Sequence, residues 1–333
     1  MKEESHEQLL ERLNRLANES LNLWPLEDGA KAHLINVSEN ATYLVEEPSG
    51  GKAVLRVHRE GYHSRKAIGC ELAWMRALRK DGGVFTPLPI AGRNGEEIQS
   101  GSVSGLAQPR HMVLFEFVEG VEPDESQDLR EPFKQLGEIC ARTHLHSMSW
   151  KREEGFERLV WDEEHIFHPH IIWGDWREAP GVGVPEKEIL ERQEKTLRRR
   201  LAAYGKGADV FGLIHADMRL ANLLIYDNAP RLIDFDDCGL GWHLYDFAAG
   251  ISFIEDHPDI PDLLSCWLEG YESVRPLREA DKDEIESFIM LRRMALLAWI
   301  GSHKETDLAK EMAPHFARVS TELAESYLSR FDV

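Results

Sequence analysis

The sequence predicts an α+β fold in two lobes, a small antiparallel-sheet N-lobe and a larger, mainly helical C-lobe. Three observations lead there. The chain has 333 residues, too many for one small core. Before about residue 120, short extended runs alternate with turn residues; after it, apolar residues recur at helical spacing. Between the two regimes the apolar strand His111–Val118 runs into Glu119-Gly120-Val121-Glu122-Pro123, a Gly/Pro break that suits a hinge. The lobes are therefore set at 1–118 and 119–333.

Composition narrows the function classes. The formal net charge is −20, which argues against nucleic acid and anionic membrane as main partners, since both select basic patches. It leaves open a nucleotide held in a local pocket. Cys70, Cys140, Cys238 and Cys266 are scattered without a C-x-x-C pair, so reduced thiols in a cytoplasmic protein are expected and a structural zinc site is not. Met1–Glu7 is polar and acidic with no apolar core, so no signal peptide is expected, and no apolar run suits a membrane span.

In chain order, Leu9, Leu10, Leu13 and Leu16 mark an amphipathic helix over 5–18. Ala32–Val37, Thr42–Glu46 and Ala53–His58 make an antiparallel meander. Its first turn, with Ser38 and Asn40, occupies the position of a phosphate-covering loop, although an ordinary hairpin turn needs no such role. A helix over 64–80 carries Ile68, Leu72, Met75 and Leu78 on one face with Glu71 among them. A carboxylate on a buried stripe needs a cation, and Arg56 is the candidate; a Glu at the stripe's edge reaching water is the alternative. A strand follows around 86–91, then a Gly-rich hairpin at 92–95, then the apolar strand, whose backbone at Glu116 and Val118 can pair with an adenine edge. Further helices are expected over 130–147, 185–204, 244–254, 260–273, 279–302 and 307–330, with a strand at Phe211–His215 and a hairpin about Asp227-Asn228.

The chemistry concentrates in Ile214–Asn222, which reads H-x-D-x-x-x-x-N, followed by Asp234-Phe235-Asp236. Asp217 can accept or orient the proton of an attacking hydroxyl. Arg219 can offset charge on a transferring phosphoryl. Asn222, at a strand start, and Asp234, at the next strand's end, can ligate Mg²⁺ on a nucleotide's phosphates, with Asp236 assisting. Trp161, Trp173 and Trp176 pack either in the core or beside the cleft, where their faces would suit a cationic acceptor. The acidic run Glu255–Asp259, with Asp262, Glu269 and Glu272, is either a solvated helix face or a second attraction for such a cation.

These motifs resemble those of the aminoglycoside phosphotransferase/choline kinase superfamily, relatives of the protein kinases. Gly241–Ala248 strengthens the resemblance, with Asp246 in the position that braces the catalytic loop. Val54–Arg59, Glu71 and Glu39–Tyr43 are similar to the bacterial branch of type II homoserine kinase-like and stress-response kinase A-like proteins. One departure is Arg56, where most relatives carry a Lys. The resemblance implies a bilobal protein-kinase-like fold and an ATP- and Mg²⁺-dependent phosphotransferase acting on the hydroxyl of an amino alcohol, amino acid or amino sugar. It makes His215 a prop for the loop and no base. A Ser/Thr protein kinase and a non-catalytic nucleotide-binding regulator are the alternatives.

Overall fold

The computed structural model describes residues 6–37, 40–124, 126–304 and 306–332. They fall into two compact units. One takes the residues up to Arg79 with Phe85–Glu119 and Glu153–Glu157; the other takes Lys80–Val84, Gly120–Arg152 and Arg158 onward. Among the described residues no helix is long and apolar enough to cross a membrane.

The first unit is built on an all-antiparallel sheet. Helix α1 (His6–Glu19) precedes β1 (Lys31–Val37), β2 (Ala41–Glu46) and β3 (Lys52–Val57), which pair in sequence as expected. Helix α2 (Arg65–Ala77) follows, with Ser64 accepting from the Ala67 N–H as its N-cap. The helix unwinds through a π turn at Leu78–Gly82. Strand β4 is only Pro89–Ile90, shorter than expected, because two prolines at 87 and 89 withhold ladder donors. Strand β5 (Ile98–Gly101) was not anticipated: its Gln-Ser-Gly composition has no apolar alternation. It pairs with β6 (Arg110–Glu116), giving the order β1-β2-β3-β6-β4 with β5 also on β6. The sheet covers a core of Leu13, Leu16 and Trp24 with Tyr43, Leu55 and Leu114. Arg56 sits between Thr42 and Val113, in mid-sheet.

The second unit is mainly helical. Helix α3 (Arg130–Ser149) is followed by β7 (Leu159–Trp161), the short α4 (Glu163–Ile166) and α5 (Val184–Tyr204). Strands β8 (Phe211–Ile214), β9 (Leu223–Tyr226) and β10 (Ala229–Leu232) come next. The two-residue turn between β9 and β10 holds Asp227 and Asn228 at φ of 49° and 59°, the left-handed pair a tight hairpin requires. Strand β11 (Gly239–Trp242), also unanticipated, runs between β7 and β8. Helices α6 (Tyr245–Gly250), α7 (Ile260–Glu272), α8 (Glu279–Lys282), α9 (Ile285–Ser302) and α10 (Asp307–Phe331) complete the chain; α8 and α9 replace the single helix expected over 279–302. Two glycines bring α3 and α7 together backbone to backbone: a Cβ on Gly137 would lie 2.0 Å from the Trp267 carbonyl, and one on Gly270 1.9 Å from that of Lys134. This close crossing sets His144 on α3 against Tyr271 on α7.

Candidate active site

In the second unit, the segment after β8 is held at its turning point. Ala216 has φ of 65°, a left-handed conformation that costs a residue with a Cβ about 1–2 kcal/mol. Both of its peptide groups are claimed. Its N–H donates to Asp246 Oδ1 at 2.6 Å, and its carbonyl accepts from Arg292 Nη1 at 3.1 Å. The His215 N–H donates to the other Asp246 oxygen at 3.1 Å. His215 also props the loop with its ring. Asp217 N–H donates to its Nδ1 at 3.3 Å, and its Nε2 donates to the Ile233 carbonyl at 3.0 Å.

This turn presents Asp217. Asn222 Nδ2 donates to its Oδ2 at 2.9 Å and to its carbonyl at 2.8 Å. Arg219 Nε lies 3.1 Å from Oδ1, and Arg292 Nη2 reaches the same oxygen at 3.0 Å. Burial pushes the carboxyl's pKa up, but Arg219 and Arg292 more than offset it, so Asp217 sits below the usual carboxylate range. It is a carboxylate fixed in direction and weak as a base.

Arg292 was not anticipated. It comes from α9, is 2% exposed, and donates from Nε to Ser252 Oγ at 2.9 Å. Its guanidinium lies 5.3 Å from the Trp173 ring centroid and 5.8 Å from that of Tyr245. No spacing in the chain links it to Asp217, so only the fold could reveal it.

The oxygen-bearing candidates differ in setting. Asn222 closes a 3₁₀ turn (Leu220–Asn222) and β9 begins one residue later, so it does not start a strand as expected. With Nδ2 spent on Asp217, Oδ1 is the atom left to ligate. Asp234 lies two residues beyond β10, not at its end, exposed and at φ of 57°. It contributes, after Asp217, to holding the Arg219 guanidinium charged. Asp236 is buried. Among the described residues no group of three or more His, Cys, Asp or Glu could hold a metal by itself. An amide and carboxylates, all oxygen donors and few in number, suit a hard cation that brings phosphate oxygens and water of its own.

The Trp-rich segment is core. Trp161, Trp173 and Trp176 are 0%, 6% and 1% exposed. Trp161 Nε1 donates to the Asp237 carbonyl at 2.7 Å, and Arg158 donates to the carbonyls of Asp236 and of Cys238, the latter at 2.7 Å. Trp161 and Arg158 thus support the segment carrying Asp236, Trp173 backs Arg292, and Trp176 Nε1 donates to Glu194 on α5 at 3.0 Å. The acidic run divides: Glu255 is buried in an ion pair with Arg293, whereas Glu269 and Glu272 pair with Lys134 and Lys282 at the surface.

Asp246 is braced from behind. His144 Nε2 lies 2.9 Å from its Oδ2, His144 Nδ1 3.0 Å from Tyr271 Oη, and Arg275 Nη1 donates to that hydroxyl at 2.6 Å. Burial pushes the Asp246 carboxyl up to about 6 and holds the His144 imidazole well below its usual value.

In the first unit, Arg56 Nη1 meets Glu71 Oε1 at 2.6 Å, the two residues being 6% and 0% exposed. The expected strand–helix pair forms, and the reading of Glu71 as a water-facing edge residue fails. Arg56 also lies over the Phe115 ring at 5.1 Å. Asn40 Oδ1 accepts from the Arg59 N–H at 3.0 Å, tying the β1–β2 turn to the end of β3. Ser38 lies outside the described residues. The Glu116 N–H donates to the Leu88 carbonyl at 2.9 Å, which leaves its carbonyl as the group to offer an adenine edge, and its side chain pairs with Arg79. Val118 is buried just past the end of β6.

Residues 33–279 match the phosphotransferase enzyme family. The chain belongs to that family. The solved structure of a microcompartment-associated aminopropanol kinase is 43% identical, with a TM-score of 0.87 over 94% of this chain and 97% of that one. The amicoumacin kinase of Bacillus subtilis (strain 168) is 26% identical over 74% of each chain. A solved amicoumacin kinase shares the fold at 20% identity, with a TM-score of 0.76 over 96% of this chain and 94% of that one. The α+β, protein-kinase-like architecture and the family read from the motifs hold. The protein is a kinase, a phosphotransferase acting on a hydroxyl.

Proposed function

We propose that the protein transfers the γ-phosphoryl group of ATP to the hydroxyl of a small amino alcohol, with Mg²⁺ on the phosphates. The observation that carries this reading is the 43% identity, across nearly the whole of both chains, to an aminopropanol kinase. The amicoumacin kinase of the same fold was solved with AMP-PNP and Ca²⁺, which supports a nucleotide and a divalent cation. Asp217 accepts a hydrogen bond from the acceptor hydroxyl and aims its oxygen. A strong base is not needed, because the phosphoryl group is largely detached before the new bond forms. Arg292 and Asn222 hold the carboxylate still, and Arg219, between Asp217 and Asp234, offsets charge on the group in transit. Asn222 Oδ1 and Asp234 would hold the cation, with Asp236 behind them; when bound, it neutralises phosphate oxygens. In the first unit Arg56, steadied by Glu71, takes the α/β-phosphates, Asn40 shapes the turn over them, and the backbone near Val118 faces the adenine.

The test is an acceptor screen with Mg·ATP across 1-amino-2-propanol, ethanolamine, choline, homoserine, amino sugars and a generic protein substrate. The expected result is highest kcat/KM on an amino alcohol, abolished by Asp217→Ala. Transfer to the protein and to no small alcohol would replace this reading with a Ser/Thr protein kinase. Nucleotide binding with no transfer to anything would replace it with a regulator.

A further inference from the structure

Away from Asp217, the second unit holds a cavity of about 460 Å³ against the C-terminal half of α3 and the turn after α7. Asp81, Arg142, His146, Trp150, Lys151 and Val274 contribute to its wall. Its size lies within the ~300–1,000 Å³ range of small-molecule sites. His146 is 8% exposed, and its Nδ1 has no hydrogen-bond partner among the described residues. The Trp150 ring lies alongside the imidazole, centroids 5.9 Å apart and planes at 26°. Lys151 makes no ion pair among the described residues, and Arg142 is held by Glu138 at 2.7 Å. Arg142 and Lys151 thus bring two cations to a wall that also carries the carboxylate of Asp81.

We propose that this cavity binds a small phosphate monoester that also carries an ammonium group. Arg142 and Lys151 take the phosphate, Asp81 takes the ammonium, and the ligand lies against His146 and Trp150. This is the product class of the reaction proposed above, and the assignment of the ligand rests on that reading.

The experiment titrates the intact protein, with 13C-labelled histidine, with 2-aminoethyl phosphate, inorganic phosphate and ethanolamine in separate arms. The His146 ring signals are assigned with His146→Gln. The expected result is a saturable shift of His146 by 2-aminoethyl phosphate, with affinity weakened at least tenfold in the double variant Arg142→Ala/Lys151→Ala and about fivefold in Asp81→Asn, at an unchanged ligand-free Tm. No saturable shift at millimolar ligand, or a shift that survives the double variant, overturns the site. Equal affinity for inorganic phosphate overturns the role of Asp81. The readout uses no turnover, so failure of the kinase reading would appear in the acceptor screen and not here.

Discussion

The two units each bury an arginine against a carboxylate, and the two pairs were not equally readable. Arg56 and Glu71 lie on adjacent elements, a strand and the helix that follows it, and Glu71 announces itself by interrupting an apolar stripe. Asp217 and Arg292 are 75 residues apart, with α6, α7 and α8 between them. Arg292 lies on a helix buried on all sides, where neither periodicity nor charge marks it out. The first pair is a local conflict that demands a partner. The second is a consequence of how α9 packs on α6 and on the loop after β8.

The comparison breaks most sharply at Asp217. Asp217→Ala should lower kcat by about 10³-fold or more while leaving nucleotide Kd within about threefold; an equal loss of nucleotide binding would move Asp217 out of the transfer step. Next is Arg292→Met, which keeps bulk and removes the fork from Asp217 and Ala216. Activity should fall about 10–100-fold and stability by about 2–4 kcal/mol in urea titration, with Arg292→Lys intermediate because it cannot reproduce three differently directed donors. An unaltered kcat would make Arg292 a purely structural residue. Arg56→Ala should cost a similar 3 kcal/mol or so, because Glu71 is left buried without its cation, but its kinetic signature should be a raised KM for nucleotide. If Arg56→Ala and Arg292→Met changed the same kinetic constant, the division of labour between the two pairs would fail.

A smaller effect is expected from pH. Asp246 faces His144 on α3, the His215 and Ala216 N–H groups, Arg292 on α9 and the buried Cys140 thiol, and burial raises its pKa to about 6. Its folded pKa lies above its unfolded value of about 3.9. Between about pH 4 and 6 the folded state therefore holds a proton that the unfolded chain has released. Stability falls as pH rises through that window, by up to roughly 3 kcal/mol from this group, and is flat above it. Activity should run the other way, declining below about pH 6 as the proton occupies an oxygen that anchors the loop. Asp217, held below the usual carboxylate range, stays ionised there and contributes no such limb. Asp246→Asn should lower kcat and remove the limb; a limb that persists in Asp246→Asn assigns it elsewhere. The smallest effect is at the surface: Glu269→Ala should change stability by less than about 0.5 kcal/mol, because its pair with Lys134 is exposed on both sides.

By itself the sequence determined the meander, most of the helices, the family and the candidate residues for the chemistry. Each is written in short-range terms: period, turn residues, or ordered motifs within one loop. His215 as a prop and Asp246 as a brace were also legible, because the motif prescribes both. Strands β5 and β11 were not legible. Gln-Ser-Gly and Gly-Leu-Gly-Trp carry little strand propensity, and their extension is imposed by β6 in one case and by β7 and β8 in the other. Only the tertiary structure decided that Trp161 supports the segment carrying Asp236 and that Glu116 spends its N–H on Leu88. The same holds for Asp217, which is held by an arginine from α9. Those outcomes depend on which distant groups packing brings within hydrogen-bond reach, and no window along the chain contains both partners.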